Sequence, residues 1–250
     1  MSSPSDTLPS DPNFINTGSY GDFEAMLQKI RAELEALIHG HKAGEALNMV
    51  VEKLMPLIQK YNLDYVQGNI ANGESAAAYA LKITNYISEK FADVNDALKD
   101  NDPARAQQDA KDALGALHEL QTCVNAHPSE FGSMGTSVIQ QLLSACHGKD
   151  IGYDPNKAPT QAQINALATD WTNDWTMTNK NSGGINANGP IMQAFSAAQN
   201  QSQSAAAYLQ SEEKLANQNY QKYAATQHSV AENIINTIKA ATTASKSTGN

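Results

Sequence analysis

Between Ile191 and Ala241 the chain runs for 51 residues without a glycine or a proline. The larger residues of this stretch fall at steps of four and three: Ile191, Phe195, Ala198, Ser202, Ala205 and Leu209. After a slip near Glu212 to Ala216 they resume at Tyr220, Tyr223, Gln227, Val230, Ile234 and Ile238. Steps of that kind place a seam on one face of a helix. At 1.5 Å per residue the helix reaches ~76 Å, longer than a compact domain of this size is wide. The slip is two successive steps of four, a stutter that locally unwinds a supercoil. Ala, Ser and Gln at core positions make the seam weak and polar, which suits lateral helix packing, including packing between chains. The opposite face carries Gln199, Gln201, Gln203, Gln210, Asn217 and Gln221. These are uncharged, so a partner covers that face without burying many charges.

No long run of alternating β-branched residues occurs anywhere, so the fold class is all-α. We expect an elongated helical bundle with the long C-terminal helix in an antiparallel coiled coil and a small helical middle region. Residues 1–20 read as a disordered tail, 21–100 with 190–245 as the coiled-coil core, 101–189 as a helical middle insertion, and 246–250 as a second tail. The net charge of −9 argues against nucleic acid, which needs a basic stripe to displace counterions. It also argues against anionic lipid. No apolar run approaches the ~20 residues that span a bilayer. Met1 to Asn16 has neither a basic n-region nor an apolar h-region, so a Sec signal is not expected. What stands there is Ser2, Ser3, Ser5, Thr7 and Ser10 with Pro4, Pro9 and Pro12. That composition fits a plain disordered tail or an uncleaved signal for an export system that threads unfolded chains.

Taken in order, Phe23, Leu27, Ile30, Leu34 and Leu37 repeat at four and three behind Asp22, a plausible N-cap. His39-Gly40-His41 interrupts the helix. Periodicity resumes at Leu47, Val50, Leu54, Leu57 and Tyr61, with Pro56 expected to bend it. Asn62 to Gly73, with Gly68 and Gly73, reads as a connector. A third helix follows from Glu74 through Ile83, Ile87, Phe91, Val94 and Leu98. Asp102 caps a fourth with Pro103 at its first position, and the two should form an antiparallel hairpin. His127-Pro128 breaks the pattern before an amphipathic piece bearing Val138, Ile139, Leu142 and Leu143. Thr160 caps a helix with Ile164, Leu167, Trp171 and Trp175. The two tryptophans, one turn apart, form one apolar face: either an anchor onto the long helix or a carbohydrate- or partner-binding platform. Asn179 to Pro190 is a glycine-containing linker into the long helix.

Candidates for chemistry are few. His39 and His41, at i and i+2, point to different sides of a helix and lack a nearby carboxylate or thiol. Cys123 and His127 stand at i and i+4, a spacing that shares a metal on a helix. Pro128, however, disfavours helical backbone at His127, and Cys146 and His147 are adjacent and diverge. The plainer reading is two reduced cysteines acting as small apolar residues, and the sequence leaves their pairing open. Glu212 with Glu213, and Asp109 with Asp112, read as solvated carboxylates without the apolar pocket that acid catalysis needs. There is no Walker loop, dinucleotide fingerprint or HExxH. No enzyme, cofactor or metal is expected.

Two segments carry a resemblance. ALNMVVEKLMPLIQKYN and ESAAAYALKITNYISEKFADVNDA lie within residues 46–97, and AAYLQSEEKLANQNYQKYAATQHSVAENIINTIKAA spans 206–241. In composition, order and periodicity they resemble the hydrophilic secreted proteins of bacterial type III secretion systems, in particular the filament subunits that extend the needle. The middle, Asn101 to Asn188, departs from that pattern with two tryptophans and two cysteines, which leaves a needle-tip protein, a translocator-associated protein or an effector open. The resemblance implies self-assembly as a homo-oligomer, with Leu209, Tyr220, Tyr223, Val230, Ile234 and Ile238 carrying the interface. It implies a cytoplasmic secretion chaperone covering the C-terminal seam before export, and needle or translocator proteins as partners at the bacterial surface. A soluble secreted effector or binding module, gripping a host protein through Trp171 and Trp175, is the alternative.

Overall fold

The structure, a computed structural model, describes residues 7–17, 20–40, 42–182 and 189–247. Within its helices the side chains of some residues, among them Tyr223, Val230, Ile234 and Ile238, lie outside the described set. The described residues are helical almost throughout and contain no strand, so the chain is an all-α helical bundle. Eight α-helices are present among them: α1 (Tyr20–His39), α2 (Ala43–Met49), α3 (Met55–Tyr61), α4 (Gly68–Lys99), α5 (Pro103–Ala126), α6 (Pro128–Ala145), α7 (Gln161–Ser182) and α8 (Pro190–Ser247). The longest of them, α8, comprises 58 residues.

From Ala43 to Lys99 the backbone is helical without a break. Two π-helical stretches, Val50–Leu54 and Asn62–Gln67, join α2, α3 and α4. The first sits just before Pro56. There the Met55 N–H reaches back to the Val50 carbonyl, one residue wider than an α-turn. A widened turn accommodates a proline that has no N–H to give. The connector expected over 62–73 is therefore helix. Its glycines serve close approach instead of a turn. A Cβ on Gly68 would stand 2.7 Å from Thr17 Cγ2, and one on Gly73 2.9 Å from Leu209 Cδ1.

The chain divides into two compact units. Unit 1 comprises Met1–Phe14 and Asn72–Leu209, and unit 2 comprises Ile15–Ala71 and Gln210–Asn250. Both boundaries after residue 71 and after residue 209 fall inside helices.

Unit 1 holds the hydrophobic core. Ile83, Ile87, Phe91 and Val94 of α4 meet Leu114, Leu117 and Leu120 of α5, Val138 and Leu142 of α6, Leu167 of α7 and Phe195 of α8. The first part of the long seam is built as its spacing predicts: Ile191, Phe195, Ala198 and Ser202 are buried, and Ala205 and Leu209 half-buried. Here α8 runs antiparallel to α4. Leu209 lies against Gly73, and Gln199 donates to Asn85 at 2.9 Å. The hairpin of α4 and α5 closes through Asn101, in the left-handed region at φ 52°. The N–H groups of Asn101 and Asp102 bond back to Leu98 and Ala97 in a Schellman cap. Asp102 then accepts from the Arg105 N–H at 3.0 Å and caps α5 ahead of Pro103. Thr160 and Gln163 form a reciprocal capping box before α7.

Part of the N-terminal tail is held in unit 1. Tyr79 donates its hydroxyl to Asp11 at 3.0 Å, and Phe14 packs against the core beside His127 and Phe131. Side-chain contacts thus fix residues that composition assigns to disorder. Met1 to Asp6 lie outside the described residues, as do Gly183 to Asn188 of the expected linker and Thr248 to Asn250 of the second tail.

Candidate interaction surface

Unit 2 pairs α1 with the run from α2 through α3 as an antiparallel hairpin. Phe23 stacks on Tyr61, ring centroids 4.0 Å apart, and Tyr61 on Tyr65 at 5.0 Å. Further along, Lys53 reaches Glu33 at 3.0 Å. That ion pair is exposed on both sides and contributes little, so packing has to hold the hairpin. From α8, Asn217 accepts from Gln67 at 2.7 Å.

The packing is incomplete. Phe23, Leu27, Ile30, Leu34 and Leu37 follow a strict heptad seam, yet none is fully buried, and the same holds for Val50, Leu54, Leu57 and Tyr61 opposite them. Among described side chains, Ala46 and Ile70 are the only buried apolar residues of this unit. Ile38 is 62% exposed, Leu215 49% and Leu47 42%. A pocket of about 270 Å³ opens beside the aromatic stack, floored by Phe23, Leu57, Tyr61 and Tyr65, with Met26 exposed at its edge. Asp22, Lys60 and Asp64 rim it. An apolar heptad seam that keeps part of its surface in water is suited to packing against a further helix.

The residues expected at the interface divide. Leu209 is half-buried in unit 1 and Tyr220 half-buried in unit 2. The side chains of Tyr223, Val230, Ile234 and Ile238 lie outside the described residues, although the backbone there is helical. Trp171 and Trp175 do not form a platform. They are 0% and 3% exposed, and each indole N–H is spent on a backbone carbonyl: Trp171 on Ala145 at 3.1 Å, Trp175 on Phe91 at 2.8 Å. Phe91 stacks on Trp175 at 5.1 Å and meets Trp171 edge-on at 5.3 Å. A ring must be exposed to grip a sugar or a partner, so this pair is a core anchor. The aromatic stack of Phe23, Tyr61 and Tyr65 escaped the sequence reading, although Tyr61 and Tyr65, at i and i+4, already share a face.

Polar groups inside unit 1 serve the fold. Lys90 lies between Asp93 at 3.3 Å and Asp109 at 3.6 Å, with the Tyr86 ring beneath it. Asp109 is buried, contrary to its reading as a solvated carboxylate, and its Oδ2 has no hydrogen-bond partner among the described residues. Burial pushes its carboxyl up to about 6; the Lys90 charge opposes this and Asp93 adds to it. Lys90 is held above the usual lysine range, because bonding to Asp93 and the charges of Asp109 and Asp93 outweigh a larger opposing effect of burial. Cys123 and Cys146 are free, buried thiols. Burial pushes Cys146 up to about 12 and Cys123 up to about 11, the latter with help from Asp11, which makes both poor nucleophiles.

His147 occupies the left-handed position of the cap that ends α6, at φ 51°. Its ring lies 3.0 Å from Asp174 and 3.6 Å from Asp150, contacts that offset the strain of a non-glycine residue there. His39 ends α1, and His41 lies outside the described residues. Among the described residues no three His, Cys, Asp or Glu converge as a metal site, and no helix is long and apolar enough to cross a membrane. Comparison with protein-family models, curated proteins and solved structures gives no match.

Proposed function

We propose that this chain is a secreted structural protein of a bacterial type III secretion system that self-assembles as a needle-extension filament or a needle-tip component. The observation that carries the reading is the contrast between the two units. Unit 1 has a fully buried core, whereas unit 2 leaves a heptad seam of Phe, Leu and Ile partly exposed. Burying that seam against copies of the same chain is the simplest way to remove it from water, and repeated identical contacts suit a polymer. In the cytoplasm before export, the same seam is what a secretion chaperone would cover. At the cell surface, needle or translocator proteins would meet it. The alternative, an effector acting on a host protein, loses its platform with the burial of Trp171 and Trp175.

The test is light scattering across a concentration series, followed by negative-stain imaging. Wild type is expected to form oligomers or filaments. Val230→Asp with Ile234→Asp is expected to stay helical by circular dichroism and lose them, since their spacing puts both residues on the seam expected to pair between copies, where unpaired charges would be destabilising. A wild-type protein that stays monomeric at high concentration without a chaperone sinks the filament reading and leaves the effector.

A further inference from the structure

Residues 8–14 lie on unit 1 as an extended segment without secondary structure. Two side chains attach them. Asp11 accepts the Tyr79 hydroxyl at 3.0 Å. Phe14 packs against His127 with the rings tilted by 49° and centroids 4.4 Å apart, and meets Phe131 edge-on at 6.1 Å. Among the described residues, no backbone hydrogen bond ties residues 8–14 to the helices. The receiving side is built by helices: Tyr79 on α4, His127 at the α5–α6 joint and Phe131 on α6, with Cys123 of α5 near enough for the Asp11 charge to act on it. Tyr79, Cys123 and Phe131 are all buried with the segment in place. The segment therefore behaves as a bound peptide that happens to be covalently attached.

We propose that this groove is a peptide-binding site for an extended Asp-x-x-Phe segment, occupied in cis by residues 8–14 and able to take the same residues of a second copy in trans. The groove supplies one hydroxyl donor for a carboxylate and one aromatic socket three residues on. Nearby Glu119 and Glu130, whose charges reach Cys123, disfavour a ligand with further acidic groups. Pro9 and Pro12 restrict the segment to extended backbone, so little freedom is lost on docking. Attachment through side chains alone allows release without opening a helix. A second copy is the occupant to expect because its segment is identical to the one already seated, the condition for exchange between protomers. The inference does not depend on the type III secretion reading.

Cys123 is the reporter and Cys146 the internal control. In full-length protein, alkylation of each thiol is followed by peptide mass spectrometry. Wild type is expected to protect both. Phe14→Ala and, separately, Asp11→Ala, which removes the acceptor of the Tyr79 hydroxyl, are expected to speed Cys123 modification by roughly tenfold or more while Cys146 stays protected, because exposure governs access to a thiol. A synthetic peptide of residues 7–17 should restore protection to the Phe14→Ala chain, and the same peptide carrying its own Phe14→Ala should not. Mixing the Phe14→Ala chain with a Phe131→Ala chain, which keeps its segment but damages its groove, should slow Cys123 modification in the former as concentration rises. If Cys123 stays protected in both variants, or if Cys146 opens with it, the segment is an integral part of the bundle and the proposal is wrong. If neither peptide nor partner chain restores protection, exchange is excluded.

Discussion

The indole of Trp175 donates its N–H to the backbone carbonyl of Phe91, at 2.8 Å, across 84 residues of sequence, and the two rings stack at 5.1 Å with planes 22° apart. One side chain thus ties α7 to α4 through both a hydrogen bond and an aromatic contact. Trp171, one turn earlier, ties α7 to the end of α6 through its N–H bond to the Ala145 carbonyl and meets Phe91 of α4 edge-on.

Trp175→Ala is expected to cost ~3–5 kcal/mol, as for a large buried aromatic. Trp175→Phe keeps most of the stacking and loses the donor, so its cost should be nearer ~1 kcal/mol. Urea denaturation measures both. Native tryptophan emission should be blue-shifted and poorly quenched by acrylamide; red-shifted, freely quenched emission contradicts the burial.

Asp109 gives a pH dependence of unusual sign. Its folded carboxyl is raised to about 6, above the ordinary aspartate value of ~4. Between those values the folded state binds more protons than the unfolded one. Its contribution therefore opposes folding above pH 6 and fades as pH falls towards 4. Asp109→Asn removes this dependence. The stability difference, wild type minus variant, should grow in favour of wild type on acidification from pH 7 to 4.5. A flat difference contradicts the assignment.

Two glycines should respond in opposite directions to alanine. Gly132 makes a non-helical kink within α6 at φ 51° and ψ −145°, backbone open essentially to glycine alone, with open space where its Cβ would be, so Gly132→Ala meets only backbone strain and should cost ~1–3 kcal/mol. Gly115 in α5 also faces open space but has no positive φ. Gly115→Ala should stabilise by ~0.5–1 kcal/mol through helix propensity. Thermal unfolding of the two variants decides.

The exposed flank of the unit 2 hairpin is expected to separate assembly from folding. Ile38→Glu with Leu47→Lys alters two residues already largely in water, so stability should stay within ~0.5 kcal/mol per site. Sedimentation velocity should show weaker self-association. An unchanged association constant places the contacts elsewhere.

Local pattern made much of this molecule legible. The 3.6-residue period marks α1, α4, α5, α7 and α8, and the burial of Ile191, Phe195, Ala198 and Ser202 follows from their spacing alone. Asp102 with Pro103, and Thr160 with Gln163, mark two helix starts through bonds that reach only three residues. All-α architecture is the sum of such short-range preferences.

What the chain could not announce locally is decided by partners far along it. Gly68 and Gly73 look like a connector until Thr17 and Leu209 approach them inside a continuous helix. Phe14 and Asp11 belong to no periodic pattern, and only Tyr79, His127 and Phe131 make them structural. Whether Trp171 and Trp175 bind or anchor depends on carbonyls of Ala145 and Phe91. The heptad of α1 is as regular as the first part of the α8 seam, yet one stays partly exposed while the other is buried through Ser202. Periodicity specifies which face of a helix is apolar. How much of that face leaves water depends on how many helices converge on it, and that number is set by the tertiary fold.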